Sequence, residues 1–136
     1  MKNLSTAIYN KISGSAFSTS IGGRLYKTRA PQNPTFPYVI YDIISDVPRD
    51  TFTERLEDVI IQFTIFSTSS GTTEIEDIFT NLKTLYDYCS LSITGNTHLT
   101  MERHGASLLS GELDEEAGKG LYYQYNIDYY VLMKKN

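Results

Sequence analysis

The sequence predicts a single α+β domain spanning residues 1–136, in which an antiparallel sheet of about four or five strands packs against two helices in the order α-β-β-α-β-β(-β). Three observations lead there. Residues 121–133 alternate without a break, with Leu121, Tyr123, Tyr125, Ile127, Tyr129, Val131 and Met133 on one side and Tyr122, Gln124, Asn126, Asp128, Tyr130 and Leu132 on the other. A one-residue slip would exchange the two sets, so the buried face of this strand is strongly specified. Residues Ile75, Ile78, Phe79, Leu82, Leu85, Tyr86 and Cys89 recur at the three-and-four spacing of one buried helical stripe. Finally, Pro31, Pro34 and Pro37 lead directly into Tyr38-Val39-Ile40-Tyr41. Each proline fixes its own φ and biases the preceding residue to extended geometry, which delivers the backbone into a strand.

The remaining elements follow in chain order. Leu4, Ile8, Ile12 and Phe17 fall near helical spacing, predicting a first helix from residue 4 to about 17 whose end is blurred by Gly14 and Ser15. Arg24-Leu25-Tyr26-Lys27 then forms a short strand or extended arm. Residues 38–44 are β-branched and aromatic and read as a strand. From 45 to 56 charged and turn-forming residues take over, and Pro48 has no N–H to give a ladder, so this stretch reads as a loop. In the strand at 57–67, Val59, Ile61, Phe63 and Ile65 share one face and Asp58, Gln62 and Thr64 the other. Thr73 and Glu76 have the spacing of a capping box at the start of the central helix. Leu91-Ser92-Ile93 reads as a short strand, Gly95-Asn96 as a turn, and 98–109 as a strand in which Gly105 marks a bulge.

Composition narrows the classes of function. Eleven Tyr and six Phe in a 136-residue chain supply core volume and argue for a folded protein. A net charge of −4 without a basic stripe disfavours sequence-independent nucleic-acid binding, which needs clustered Lys and Arg. The one cysteine, Cys89, excludes an intramolecular disulfide and fits a reducing cytoplasm. The first residues lack the apolar run of a signal peptide, and no segment approaches the roughly 20 apolar residues of a membrane span, so a soluble product is expected.

Candidate chemistry is sparse. His98 and His104 share a face if 98–109 is one strand, and with Glu102 between them they suggest a metal site. A divalent ion needs three or four converging ligands, and the chain has no third histidine. Cys89 sits in the apolar helical stripe and reads as a packed thiol. Glu112, Asp114, Glu115 and Glu116 do not follow the EF-hand pattern and read as a solvated acidic loop with Lys119. Asp46, Asp50 and Glu54 lie beside Arg49 and Arg55, which suits exposed ion pairs. Neither Gly22-Gly23 nor the glycines at 118 and 120 make a phosphate loop, and no nucleophile motif is present. No cofactor or enzymatic activity is expected. Tyr41, Tyr122 and Tyr130 either cover a helix or make intersubunit contacts, since tyrosine combines apolar area with a hydroxyl.

Three segments together resemble the tail-completion, or tail-terminator, proteins of long-tailed bacteriophages: the proline entry Pro31 to Pro37-Tyr38-Val39, the strand-to-helix junction from Phe63-Thr64-Ile65-Phe66-Ser67 to Gly71, and the closing aromatic strand. The resemblance covers most of the chain and departs at the acidic excursion 111–120. It implies a structural virion protein, made in the host cytoplasm and placed at the head-proximal end of the tail. There it would close into a ring, usually of six, cap the tail tube, end its polymerisation and form the tail side of the head–tail joint. The implied partners are further copies of the chain, the tail tube protein and a head-completion or stopper protein, with DNA passing through without sequence-specific binding and no membrane involved. Two other classes fit the residues: a head-side connector or stopper, and a nonviral ligand-binding α+β module.

Six copies of a −4 chain give a ring of formal charge −24, whose passage would repel DNA rather than trap it. The loops 45–56 and 111–120 are therefore the candidate interaction excursions, one of them facing the channel or an adjoining ring. Their contact residues are Asp46, Arg49, Asp50, Glu54, Arg55, Glu112, Asp114, Glu115, Glu116 and Lys119, with Arg49 and Arg55 suited to subunit pairing.

Overall fold

In the computed structural model, residues 2–69, 71–112 and 121–136 are described. The chain runs α1 (Lys2–Lys11), α2 (Ala16–Ser20), β1 (Leu25–Lys27), β2 (Tyr38–Pro48), β3 (Leu56–Ser67), α3 (Thr73–Tyr86), β4 (Asn96–Glu112) and β5 (Leu121–Lys135). The strands form one sheet in the order β1-β2-β3-β5-β4. The α+β class stands. All pairings are antiparallel except β1 with β2, which is parallel.

The strict alternation of β3 and β5 puts Val59, Ile61, Phe63 and Ile65 beside Val131, Tyr129, Ile127 and Tyr125 on one face. The first seven of these are fully buried, and Tyr125 is partly so. Helix α3 lies on that face: the Phe79 ring is 4.4 Å from Tyr125, and Tyr86 is 4.8 Å from Phe63. Each large apolar side chain fully buried here contributes about 1.5–3 kcal/mol over exposure. The same face takes Leu4, Ile8 and Phe17 from α1 and α2.

Several expectations are corrected. The helix expected from 4 to 17 is two helices, because Gly14 takes a positive φ of 74° and Ser15 caps α2, its Oγ accepting from the Ser18 N–H at 3.1 Å. Strand β2 extends beyond 44 through Asp46 to Pro48, after a bulge at Ile44, so only 49–55 forms the connection to β3. Pro48 is tolerated because the Arg49 N–H points to the Leu56 carbonyl, 2.7 Å away. Alternation then turns the nitrogen of Pro48 towards the open edge, where β1, paired only with Val39–Tyr41, does not reach.

The capping box at Thr73 and Glu76 does not form. Thr72 holds the cap position without a side-chain bond, while Glu74 accepts the Ser67 hydroxyl at 2.7 Å. Residues 91–93 are not a strand but an irregular strap, whose Leu91 N–H is taken by His98 Nδ1 at 3.2 Å instead of by a neighbouring backbone. The turn before β4 falls at Thr94-Gly95, with Gly95 at φ +81°.

Candidate assembly surfaces

Strand β4 carries two register shifts, at Leu99 and at His104, the second beside the expected Gly105. Each inserts an unpaired residue and resets which side chains face the helices. His98 therefore lies opposite Met133 on the helix face, while His104 stacks on Tyr130 on the other, with centroids 4.3 Å apart. The two histidines do not converge. Burial lowers the His98 pKa, consistent with a neutral ring accepting from Leu91. Cys89 lies beyond the end of α3 rather than in its stripe, with Sγ 3.5 Å from Met101 Sδ, and burial raises its thiol pKa. That is a packed thiol, not an activated one.

The end of α3 is tied to the sheet by a polar knot. Tyr129 donates its hydroxyl to Asp87 Oδ1 at 2.5 Å, and Arg103 Nε and Nη2 donate to the same carboxylate at 3.3 Å. Burial, followed by this hydrogen bond, holds the Tyr129 phenol well above its ordinary pKa. Tyr86 is pushed up by burial and donates to the Ile8 carbonyl at 2.8 Å. Tyr41 does likewise to the Ser5 carbonyl at 3.2 Å, which makes it a helix-facing residue. Tyr122 and Tyr130 lie on the opposite, helix-free face, beside Phe66 and His104 respectively.

The connection 49–55 is closed by its own bonds: the Thr51 N–H donates to the Glu54 carbonyl at 2.9 Å, and the Glu54 N–H to Thr51 Oγ1 at 3.0 Å. This turn raises Phe52 into solvent with its whole side chain exposed. Composition alone points to the charges of this loop and not to Phe52; an apolar ring at the centre of a charged turn is the signal that marks it.

Of the expected contact residues here, Arg49 lies 3.5 Å from Asp58, and Glu54 lies 3.2 Å from Lys134. Asp50 and Arg55 line a small hollow of about 170 Å³ with Glu57 and Lys135. Asp46 sits on β2 opposite Val59, not in the loop. Burial raises the Glu57 carboxyl pKa, and the nearby Asp46 raises it further. Glu112 closes β4 opposite Leu121, and Asp114, Glu115, Glu116 and Lys119 lie outside the described residues.

Among the described residues no three metal-ligating side chains converge, and no helix is long and apolar enough to cross a membrane. What the molecule offers is surface: an exposed ring on a rigid turn, a helix-free sheet face and a long edge strand. In β4 the uninterrupted edge from Gly105 to Gly111 carries no charge and exposes Leu108 and Leu109.

Comparison with known proteins accords with a structural part. No curated protein matches the chain. Among solved structures, a chain from the virion of a native gene transfer agent particle shares the fold at a TM-score of 0.72 and 12% identity, over 95% of this chain and 92% of that one. The family model described as tail completion protein gp17 matches residues 6–114. The protein belongs to that family, and is thus a phage tail completion protein, a structural component of the virion rather than an enzyme.

Proposed function

We propose that the chain closes into a ring, usually of six, on the last ring of the tail tube, where it ends polymerisation and forms the tail side of the head–tail joint. The observation that carries this reading is Phe52, fully exposed on a turn that its own hydrogen bonds hold rigid. A lone aromatic presented on a hydrogen-bonded turn is the form of a protein-binding anchor, since the backbone beneath the ring is already ordered before docking. The uncharged edge of β4 offers a second contact, because an edge without charge or proline leaves backbone groups open to a neighbouring strand. DNA passes through such a ring without sequence-specific contacts, repelled by the chain's net −4.

The partners under this reading are further copies of the chain, the tube protein on one side and a head-completion or stopper protein on the other. Deletion of the gene followed by electron microscopy tests it: overlong tubes and unattached heads are expected, and tails of normal length joined to full heads would refute termination. A head-side stopper is the competing position within the joint, and binding of the purified chain to isolated heads but not to isolated tails would favour it.

A further inference from the structure

The charge of this chain is divided along its length. Residues 1–41 contain Lys2, Lys11, Arg24, Lys27 and Arg29 and no Asp or Glu, which leaves −9 for residues 42–136 in a chain of net charge −4. Among the described residues the fold does not neutralise the division. The ion pairs among the described residues are Arg49–Asp58, Arg103–Asp87 and Lys134–Glu54, all drawn from the acidic part. Of the five N-terminal cations, Arg24 donates to the carbonyls of Pro37 and Phe36, and none makes an ion pair with a described residue.

Two of these cations flank a recess. Lys2 and Lys27 line a hollow of about 260 Å³ together with Ser5, Tyr9, Asn10 and Tyr41. Ser5 is only 5% exposed, and its Oγ has no hydrogen-bond partner. A buried hydroxyl without a partner is unfavourable, so the hollow is incomplete as it stands. Tyr9 stands at its rim, about half exposed. Hydroxyls, an amide and two ammonium groups around one recess make a receptor for a carboxylate.

We infer that this N-terminal flank, centred on Lys2 and Lys27, docks carboxylates from the acidic part of a second copy of the same chain, in a head-to-tail contact. The inference rests on the ring reading above and specifies its subunit interface. The same chain supplies both signs of charge on different segments, which is the condition for a heterologous contact that repeats around a ring. Exposed Glu76, on the first turn of α3, and Asp77 next to it, both without an ion pair among the described residues, are examples of the carboxylates on offer. Nucleic acid is the weaker occupant: tracking phosphates calls for a continuous basic stripe, whereas this site is a discrete recess on a protein of net negative charge.

The test uses tails lacking this protein, to which the full chain is added as an equal mixture of light and isotope-labelled copies. Carbodiimide then couples lysines directly to carboxylates that they touch. Mixed light–heavy peptides joining Lys2 or Lys27 to an Asp or Glu beyond residue 41 are expected. Links from these lysines only to another virion protein, or none at all, would overturn the inference. In parallel, Lys2→Glu/Lys27→Glu, which alters exposed positions, is expected to lower the yield of completed tails about tenfold while leaving the circular dichroism spectrum and Tm of the free chain unchanged. Completion at the wild-type yield would refute the contact and leave the terminator reading intact. Failure of the wild-type chain itself to complete tails would instead remove that reading. A variant that completes tails normally but loses retention of duplex DNA would reassign the flank to nucleic acid.

Discussion

On the helix-covered face of the sheet each buried tyrosine hydroxyl has a named acceptor: Tyr41 the Ser5 carbonyl, Tyr86 the Ile8 carbonyl and Tyr129 the Asp87 carboxylate. On the helix-free face the rings pack on one another instead. Tyr38 stacks on Phe66 at 4.9 Å and touches Phe36 and Tyr26, and Phe66 lies 6.2 Å from Tyr122. No hydrogen bond from the hydroxyls of Tyr26, Tyr38 or Tyr130 is made among the described residues. The same strands thus carry two aromatic layers with different work. The inner layer is directional and fixes where the helices sit, since hydrogen bonds specify geometry as well as add energy. The outer layer is held by area and stacking, which can continue onto another molecule without rearrangement.

The comparison breaks most readily at two phenylalanines three residues apart. Phe63→Ala, on the inner layer between Tyr86 and Tyr129, is expected to cost about 3–5 kcal/mol in urea unfolding. Phe66→Ala on the outer layer should cost less than half as much; equal losses would mean that the helix-free face is as much a core as the other. Tyr129→Phe sharpens the directional part, removing one hydrogen bond to a charged acceptor for about 1.5–3 kcal/mol. A loss confined to a few tenths would show that Arg103 alone holds Asp87.

Glu57 gives a smaller, pH-dependent effect. Its folded pKa is raised, so the protonated form favours the fold. That contribution is fully present below the ordinary carboxylate range and is lost as pH rises through the raised value, with Asp46 opposing ionisation and Lys135 assisting it. Glu57→Gln should therefore raise Tm at about pH 7 and leave it nearly unchanged at about pH 4, as followed by differential scanning calorimetry. A gain of equal size at both values would point to packing rather than charge. Least visible in stability is Phe52→Ala, expected to shift unfolding by no more than about 0.5 kcal/mol while lowering tail completion.

The parts legible in the sequence are those where one period rules. β3, β5 and α3 each bury a single face, so Val59 to Ile65, Ile127 to Met133 and Ile75 to Tyr86 could be read directly. What escaped depends on neighbours that a local pattern does not contain. Pro48 reads as a breaker until one sees that its nitrogen faces an edge with no adjoining strand. Leu91 and Ile93 look like a strand because they are apolar, yet His98, seven residues on, takes the hydrogen bond that a ladder would need. Among the candidate contacts, the charges of 49–55 were legible and their internal pairing was not, since Asp58 and Lys134 reach the loop only through sheet register. The outer aromatic layer was open to either reading from sequence, because alternation assigns side chains to faces without saying which face the helices cover.

The two insertions in β4 have an arithmetic effect. Seventeen residues of the outermost strand run beside fifteen of its neighbour, and the surplus is concentrated at Leu99 and His104. A foreign segment zipping along that border from the hairpin end could travel without interruption only as far as Gly105, where its rungs would fall out of phase. The chain therefore limits strand addition by miscounting its own length, a stop that neither salt nor pH would relax.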